Sequence, residues 1–153
     1  MGINPKKIII EDTNIWISFL ISPNGKGFLI DALDDPKFQF LTCQEQIREI
    51  KDVTARPKFR KWFTKELADD LITVLESKCH NIEIDNKQTA VRDHKDNFLV
   101  NLAIQGEADI IVSGDDDIKA MEGKLGKTQV FSLTEFLTFY INYSHPQKSP
   151  KKD

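Results

Sequence analysis

Three consecutive isoleucines, Ile8, Ile9 and Ile10, run without a polar break between Lys7 and Glu11. A strand with one face in water would alternate, so an unbroken run of this kind is expected to be covered on both faces, as in a parallel sheet layered by helices. Ile110, Ile111 and Val112 repeat the pattern far along the chain. Shorter runs from Phe38 to Leu41, Asn81 to Ile84 and Gln129 to Phe131 supply further strands. Helical spacing fills the intervals. Asn14 is placed to cap a short helix from Ile15 to Leu20, and a cluster of Ser22, Pro23, Asn24, Gly25 and Gly27 precedes a second helix ending near Asp35. Thr42 and Glu45 have capping-box spacing ahead of a helix that turns Ile47, Ile50 and Val53 inward. Another, from Thr64 to Lys78, aligns Leu67, Leu71, Val74 and Leu75. Asp96 to Gln105 carries Phe98, Leu99, Leu102 and Ala103, with Gly106 as its stop signal. Ser132 and Glu135 form a second capping box before Leu133, Phe136, Leu137 and Tyr140. Strands alternating with helices of this length predict a three-layer α/β/α sandwich with a mainly parallel central sheet of about five strands.

At 153 residues the chain suits one compact domain. That domain is expected to occupy residues 1–143, leaving residues 144–153 as a basic tail without apolar periodicity. The longest strongly apolar stretch, Ile15 to Ile21, is too short to span a bilayer, so no membrane partner is expected and the cytoplasm is the expected compartment. Cys43 and Cys79 form no CxxC pair and no disulfide framework, which agrees with a reducing environment.

Two acids fall at strand ends: Asp12 follows the first buried run and Asp115 follows the fourth strand after Ser113 and Gly114. Ligands in open parallel sheets bind beyond the carboxyl ends of strands, where strand order reverses, so these two can share a crevice if their strands are neighbours. Asp96 opens a helix, and Glu49 lies inside another, with Glu45 one turn earlier on the same face. Four carboxylates around one crevice repel, and a divalent cation is the simplest way to keep all of them ionised. An all-oxygen donor set selects Mg²⁺ or Mn²⁺ over Zn²⁺. Taken singly, the residues have plainer readings. Asp96 and Asp115 suit helix caps, and Glu49 suits a solvated helix face. Asp12 differs, because a carboxylate at the end of a strand that carries three consecutive isoleucines needs a partner for its charge. His80, His94 and His145 show no metal-ligand spacing.

Between Arg48 and Lys65 seven cations stand against only Glu49 and Asp52, although the net charge of the chain is −3. Within this strip Arg56, Lys58, Arg60 and Lys61 interleave with Phe59, Trp62 and Phe63. Such a mixture suits attraction of a nucleic-acid backbone and stacking on its bases. It equally suits a solvated helix whose aromatics pack inward.

The segment Ile8-Ile9-Ile10-Glu11-Asp12-Thr13-Asn14-Ile15-Trp16 resembles the opening strand and Asp-Thr-Asn motif of PIN domains. Leu41 to Ile50, followed by Ala55-Arg56-Pro57-Lys58-Phe59, is similar to the segment in which that family places its second acid. Arg92 to Leu99 resembles the third motif, Ala108 to Asp115 the fourth, and Leu133-Thr134-Glu135-Phe136-Leu137 the family's ending. Glu11, where a plain apolar residue is commoner, and Cys43, in place of a frequent Ser, depart from the pattern. The resemblance implies a metal-dependent endoribonuclease acting on single-stranded RNA. Asp12, Glu49, Asp96 and Asp115 would hold Mg²⁺ or Mn²⁺, with Asp117 as an auxiliary acid and Asn14 and Ser113 orienting them. The first and fourth motifs most resemble the toxin-like branch, which implies an antitoxin protein as partner, and a homodimer is also compatible. Two other classes compete. A receiver domain would require a Lys after the fifth strand, where Phe131-Ser132-Leu133 has none. A non-catalytic RNA- or partner-binding module on the same fold would not need the acid quartet.

Overall fold

The structure, a computed structural model, describes residues 6–22, 24–85 and 97–145. Five strands, β1 (Lys7–Glu11), β2 (Phe38–Thr42), β3 (His80–Asn81), β4 (Ile110–Val112) and β5 (Gln129–Phe131), form one sheet in the order β3-β2-β1-β4-β5. All four pairings are parallel. Helices α1 (Thr13–Ile21), α2 (Gly25–Asp34), α3 (Gln44–Thr54), α4 (Lys65–Lys78), α5 (Asn97–Gln105), α6 (Asp116–Lys119) and α7 (Leu133–Ser144) complete the domain, with a 3-10 turn at Pro57–Lys61 between α3 and α4.

The isoleucine run explains the layering. Ile9 faces a core built with Trp16, Phe40, Ile50, Leu75, Val112 and Phe136, which joins the sheet to α1, α3, α4 and α7. Its neighbour Ile10 faces the opposite core with Leu41, Leu99, Leu102, Ile111 and Ile118, which joins the sheet to α5 and α6. Both isoleucines are fully buried, as successive side chains on a doubly covered strand must be. From β1 the chain winds outward through β2 to β3, then returns to place β4 on the other side of β1. The reversal of strand order therefore lies between β1 and β4, and the crevice it opens is at the carboxyl ends of those strands.

Several local expectations shift. Asn14 does not cap α1: it is exposed inside the helix, and Asp12 takes the N-cap position. The Thr42–Glu45 capping box does not form either. Thr42 remains in β2, opposite Asn81, and its hydroxyl donates to Gln46 Oε1 at 2.7 Å, so that Cys43 becomes the residue before α3. The third strand is a two-residue pairing at His80–Asn81, earlier than the expected Asn81 to Ile84. On α4 the buried stripe is Ala68, Leu71, Ile72 and Leu75, while Leu67 and Val74 are half-buried along an open groove shared with Leu20, Leu29 and Ile30. Gly106 ends α5 without a left-handed turn, which falls instead to Glu107 at φ 51°. A Cβ at Gly106 would lie 2.7 Å from Leu102 O and 2.5 Å from Leu41 Cδ1, so the backbone approach there favours glycine. The Ser132–Glu135 capping box forms in full. Lys37 Nζ donates to Ser144 O at 2.8 Å at the end of α7, and the expected tail from residue 146 onward lies outside the described residues.

Candidate active site

Asp12 is fixed by backbone on both sides. Its N–H donates to Val112 O at 2.9 Å, continuing the β1–β4 ladder, and its carbonyl accepts from Ile15 and Trp16 to open α1. The strand-to-helix transition thus holds the residue, and the carboxylate makes no capping bond of its own. Oδ2 accepts instead from Ser113 Oγ at 2.7 Å, across the switch point. Ser113 Oγ also accepts from the Asp115 N–H at 3.0 Å, so one hydroxyl ties both strand ends together. Asp115 in turn caps α6, its Oδ1 accepting from Asp117 N at 2.8 Å.

Asp12 is 8% exposed. Burial raises its carboxyl pKa; the Ser113 hydroxyl and the N–H groups of Asn14 and Thr13 pull it down, and the charge of Asp115 pushes it up. Two carboxylates near enough to repel, one of them largely buried, are a donor set that a hard cation would relieve. Glu49 is half-buried on α3, and Asp117 is exposed in the first turn of α6. Asp96 lies outside the described residues. Among the described residues, no group of three or more His, Cys, Asp or Glu side chains converges in a way that could hold a metal ion. The Asp12–Asp115 pair is what the described fold brings together.

The sequence reading did not anticipate two buried neighbours. Gln46, fully buried, donates from Nε2 to Glu11 O at 2.6 Å while accepting from Thr42, and so anchors α3 to the end of β1 just before Asp12. Glu11 points into the core, and burial pushes its carboxyl pKa up to about 8. Its Oε2 has no hydrogen-bond partner among the described residues, nor do the buried Thr13 Oγ1 and Glu45 Oε2. An acid inside an isoleucine strand was the available signal for Glu11. None distinguished Gln46 from other helix glutamines.

In the basic strip the two readings divide by residue. Phe63 is buried with Ile17 and Ala68, and Phe59 stacks on it at a centroid distance of 5.4 Å. Arg60 donates to Thr54 O and Phe63 O, closing the end of α3. Trp62 is left 54% exposed, with Lys61 Nζ 5.3 Å from its ring centroid.

The fold and site together define a doubly wound α/β domain with a linked pair of carboxylates at its topological switch point. A family model for the PIN domain matches residues 8–117, and the chain belongs to the PIN-domain family. Members of that family are generally nucleases. The chain is 33% identical over 112 residues to an uncharacterized protein of Methanocaldococcus jannaschii, covering 72% of each. Its fold is similar to VapBC2 from Rickettsia felis, solved bound to a DNA fragment from its promoter. That likeness has a TM-score of 0.53 and 11% identity, covering 82% of this chain and 98% of that one. The PIN domain of T. brucei RRP44 is also similar, with a TM-score of 0.47 and 12% identity, covering 90% of this chain and 84% of that one. Among the described residues no helix is long and apolar enough to cross a membrane.

Proposed function

We propose that the protein is a divalent-metal-dependent endoribonuclease that hydrolyses phosphodiester bonds in single-stranded RNA, and that it serves as the toxin component of a toxin–antitoxin pair. The observation that carries the chemistry is the Asp12–Ser113–Asp115 linkage at the switch point of a PIN-family chain. Asp12, Glu49, Asp96 and Asp115 would hold Mg²⁺ or Mn²⁺, with Asp117 as an auxiliary acid. When bound, such an ion lowers the pKa of water and neutralises charge on the phosphate.

The chain's own residues supply the rest. Ser113 donates to Asp12 and so favours its charged, ligand-competent form against the burial that opposes it. Asn14, exposed in the first turn of α1, would help to orient the acids. Arg56, Lys58 and Lys61 offer exposed cations to the RNA backbone, and Arg60 contributes charge although its guanidinium is engaged with backbone carbonyls. The toxin role is supported by the form of the first and fourth motifs.

Cleavage of an end-labelled single-stranded RNA tests the proposal. Mg²⁺ or Mn²⁺ should support cutting, EDTA should abolish it, and Asp12→Asn should lose at least about 100-fold, in the range seen when a transition-state charge loses its stabiliser. Full activity in EDTA, or an active Asp12→Asn, would overturn the nuclease reading. Growth arrest on expression, relieved by a protein encoded beside this one, tests the toxin role.

A further inference from the structure

We propose that Trp62 is a stacking platform for an unpaired base of the RNA substrate, and that the cationic pocket lined by Arg60 and Lys65, which flank Trp62 in the chain, receives a phosphate of the same strand. This inference rests on the reading of the substrate as single-stranded RNA.

The two tryptophans have opposite fates. Trp16 is fully buried, whereas Trp62 leaves more than half of its surface in water beside two phenylalanines that do pack inward. The exposure is not looseness. Arg60 ties the turn to Thr54 O and Phe63 O, and the stacked Phe59–Phe63 pair holds it against the core from beneath. A rigid aromatic presented to solvent loses little entropy on binding a flat partner. Its surroundings are cationic: Lys61 lies against its ring, and Lys58 sits 5.1 Å from the neighbouring Phe59 ring centroid.

In the chain Trp62 falls between Arg60 and Lys65, which line a pocket of about 430 Å³ together with Lys51, Thr54 and Asp69. Among the described residues none of Lys51, Lys58, Lys61 and Lys65 is in a salt bridge, so their charge is available to a partner. Asp69 is the one acid at the pocket wall, and it disfavours a densely charged anion less than the cations favour it. An exposed indole with Lys61 at its ring and further cations before and after it in the chain matches a single strand, whose bases have π-faces and whose backbone is anionic; an acidic peptide would leave the ring unused. The turn that carries the platform packs on the helix that begins at Asp12. Phe63 packs on Ile17, which lies on α1 a rise of roughly 7.5 Å beyond Asp12.

The test is binding to intact protein in EDTA, where no cutting is expected. Because Trp16 is buried, oligoadenylate should quench mainly Trp62 emission, saturably, while a blunt duplex of equal length and polyglutamate should not. By anisotropy of labelled oligoadenylate, Trp62→Ala should bind about tenfold or more weaker and Trp62→Phe within a few-fold of wild type, as expected for one stacked base. Replacing Lys51 and Lys65 by Glu should reduce the slope of log affinity against log salt by about 0.7, the value for one single-strand phosphate contact. Trp62→Ala binding within twofold of wild type, equal quenching by polyglutamate, or no binding of oligoadenylate would each overturn the inference. RNA cleavage with an indifferent Trp62 would sink this proposal alone; Trp62-dependent binding without cleavage would sink the nuclease reading alone.

Discussion

Glu11→Gln is predicted to stabilise the metal-free protein and to remove most of its loss of stability with rising pH. The Glu11 carboxyl is buried in the core layer beside β2, where Gln46 engages the backbone carbonyl of Glu11 and the side-chain Oε2 has no hydrogen-bond partner among the described residues. Burial alone moves its pKa from 4.5 to about 8. A carboxyl that holds its proton more tightly when folded costs nothing below pH 4.5, and its cost then grows with pH until it levels off above about 8. At 1.36 kcal/mol for each pKa unit, that is on the order of 3 kcal/mol at pH 7 and 5 kcal/mol above pH 8. Urea unfolding in EDTA, followed by the emission of the buried Trp16, should show wild-type stability falling steadily from pH 5 to pH 8. Glu11→Gln should be nearly flat, keeping only the smaller slope contributed by Asp12, whose pKa is also raised. Parallel curves for the two proteins would refute the reasoning, because they would mean that Glu11 ionises in the folded state at no cost.

Two further substitutions separate site from scaffold. Asp115→Ala should cost about 1 kcal/mol of metal-free stability through loss of the α6 cap, and Asp115→Asn should cost little, while both lose cleavage; a cutting Asp115→Ala would reduce this residue to a cap. Gly25→Ala should lower stability by about 1–3 kcal/mol without touching the acids, because a Cβ there would lie 2.5 Å from Phe19 O where α2 crosses α1; an unchanged urea midpoint would show that the helix pair can separate at no cost.

The layering and the parallel order were readable because they follow from short, strong patterns: an isoleucine triplet has no polar face, and a carboxylate at its end has few plain uses. Local hydrogen bonding was less readable, since it depends on competition between neighbours. Thr42 and Glu45 have capping-box spacing, but Thr42 is held in β2 by pairing with β3 and gives its hydroxyl to Gln46. Asn14 is a good cap type, yet the turn out of β1 begins two residues earlier because Asp12 N–H is committed to Val112 O. On α4 the choice between Leu67 and Ala68 as the inward residue is set by how closely Phe63 and Ile17 approach, which no helical period encodes. The same limit applies to the strip from Arg56 to Phe63, where spacings of three and four from Phe59 are both ordinary core patterning, yet Phe63 turns inward and Trp62 out. Asp12 and Asp115 were legible as a pair once β1 and β4 were neighbours; the part of Gln46 in securing β1 was not, because its partners are a backbone carbonyl and a threonine on two other elements.

The hydrogen bond from Ser113 to Asp12 joins residues 101 positions apart. Closing a loop of that length is slow compared with forming the neighbouring β1–β2 unit, since long-range parallel pairing must await most of the chain. During synthesis at about 5–20 residues per second, roughly 5–20 s separate the appearance of Asp12 from that of Ser113 and Asp115. Until then a growing chain carries one acid of the pair without the other, and a fragment ending before β4 never carries both. Assembly of the acid pair therefore waits on the synthesis of β4, and the growing chain is made with that pair still apart.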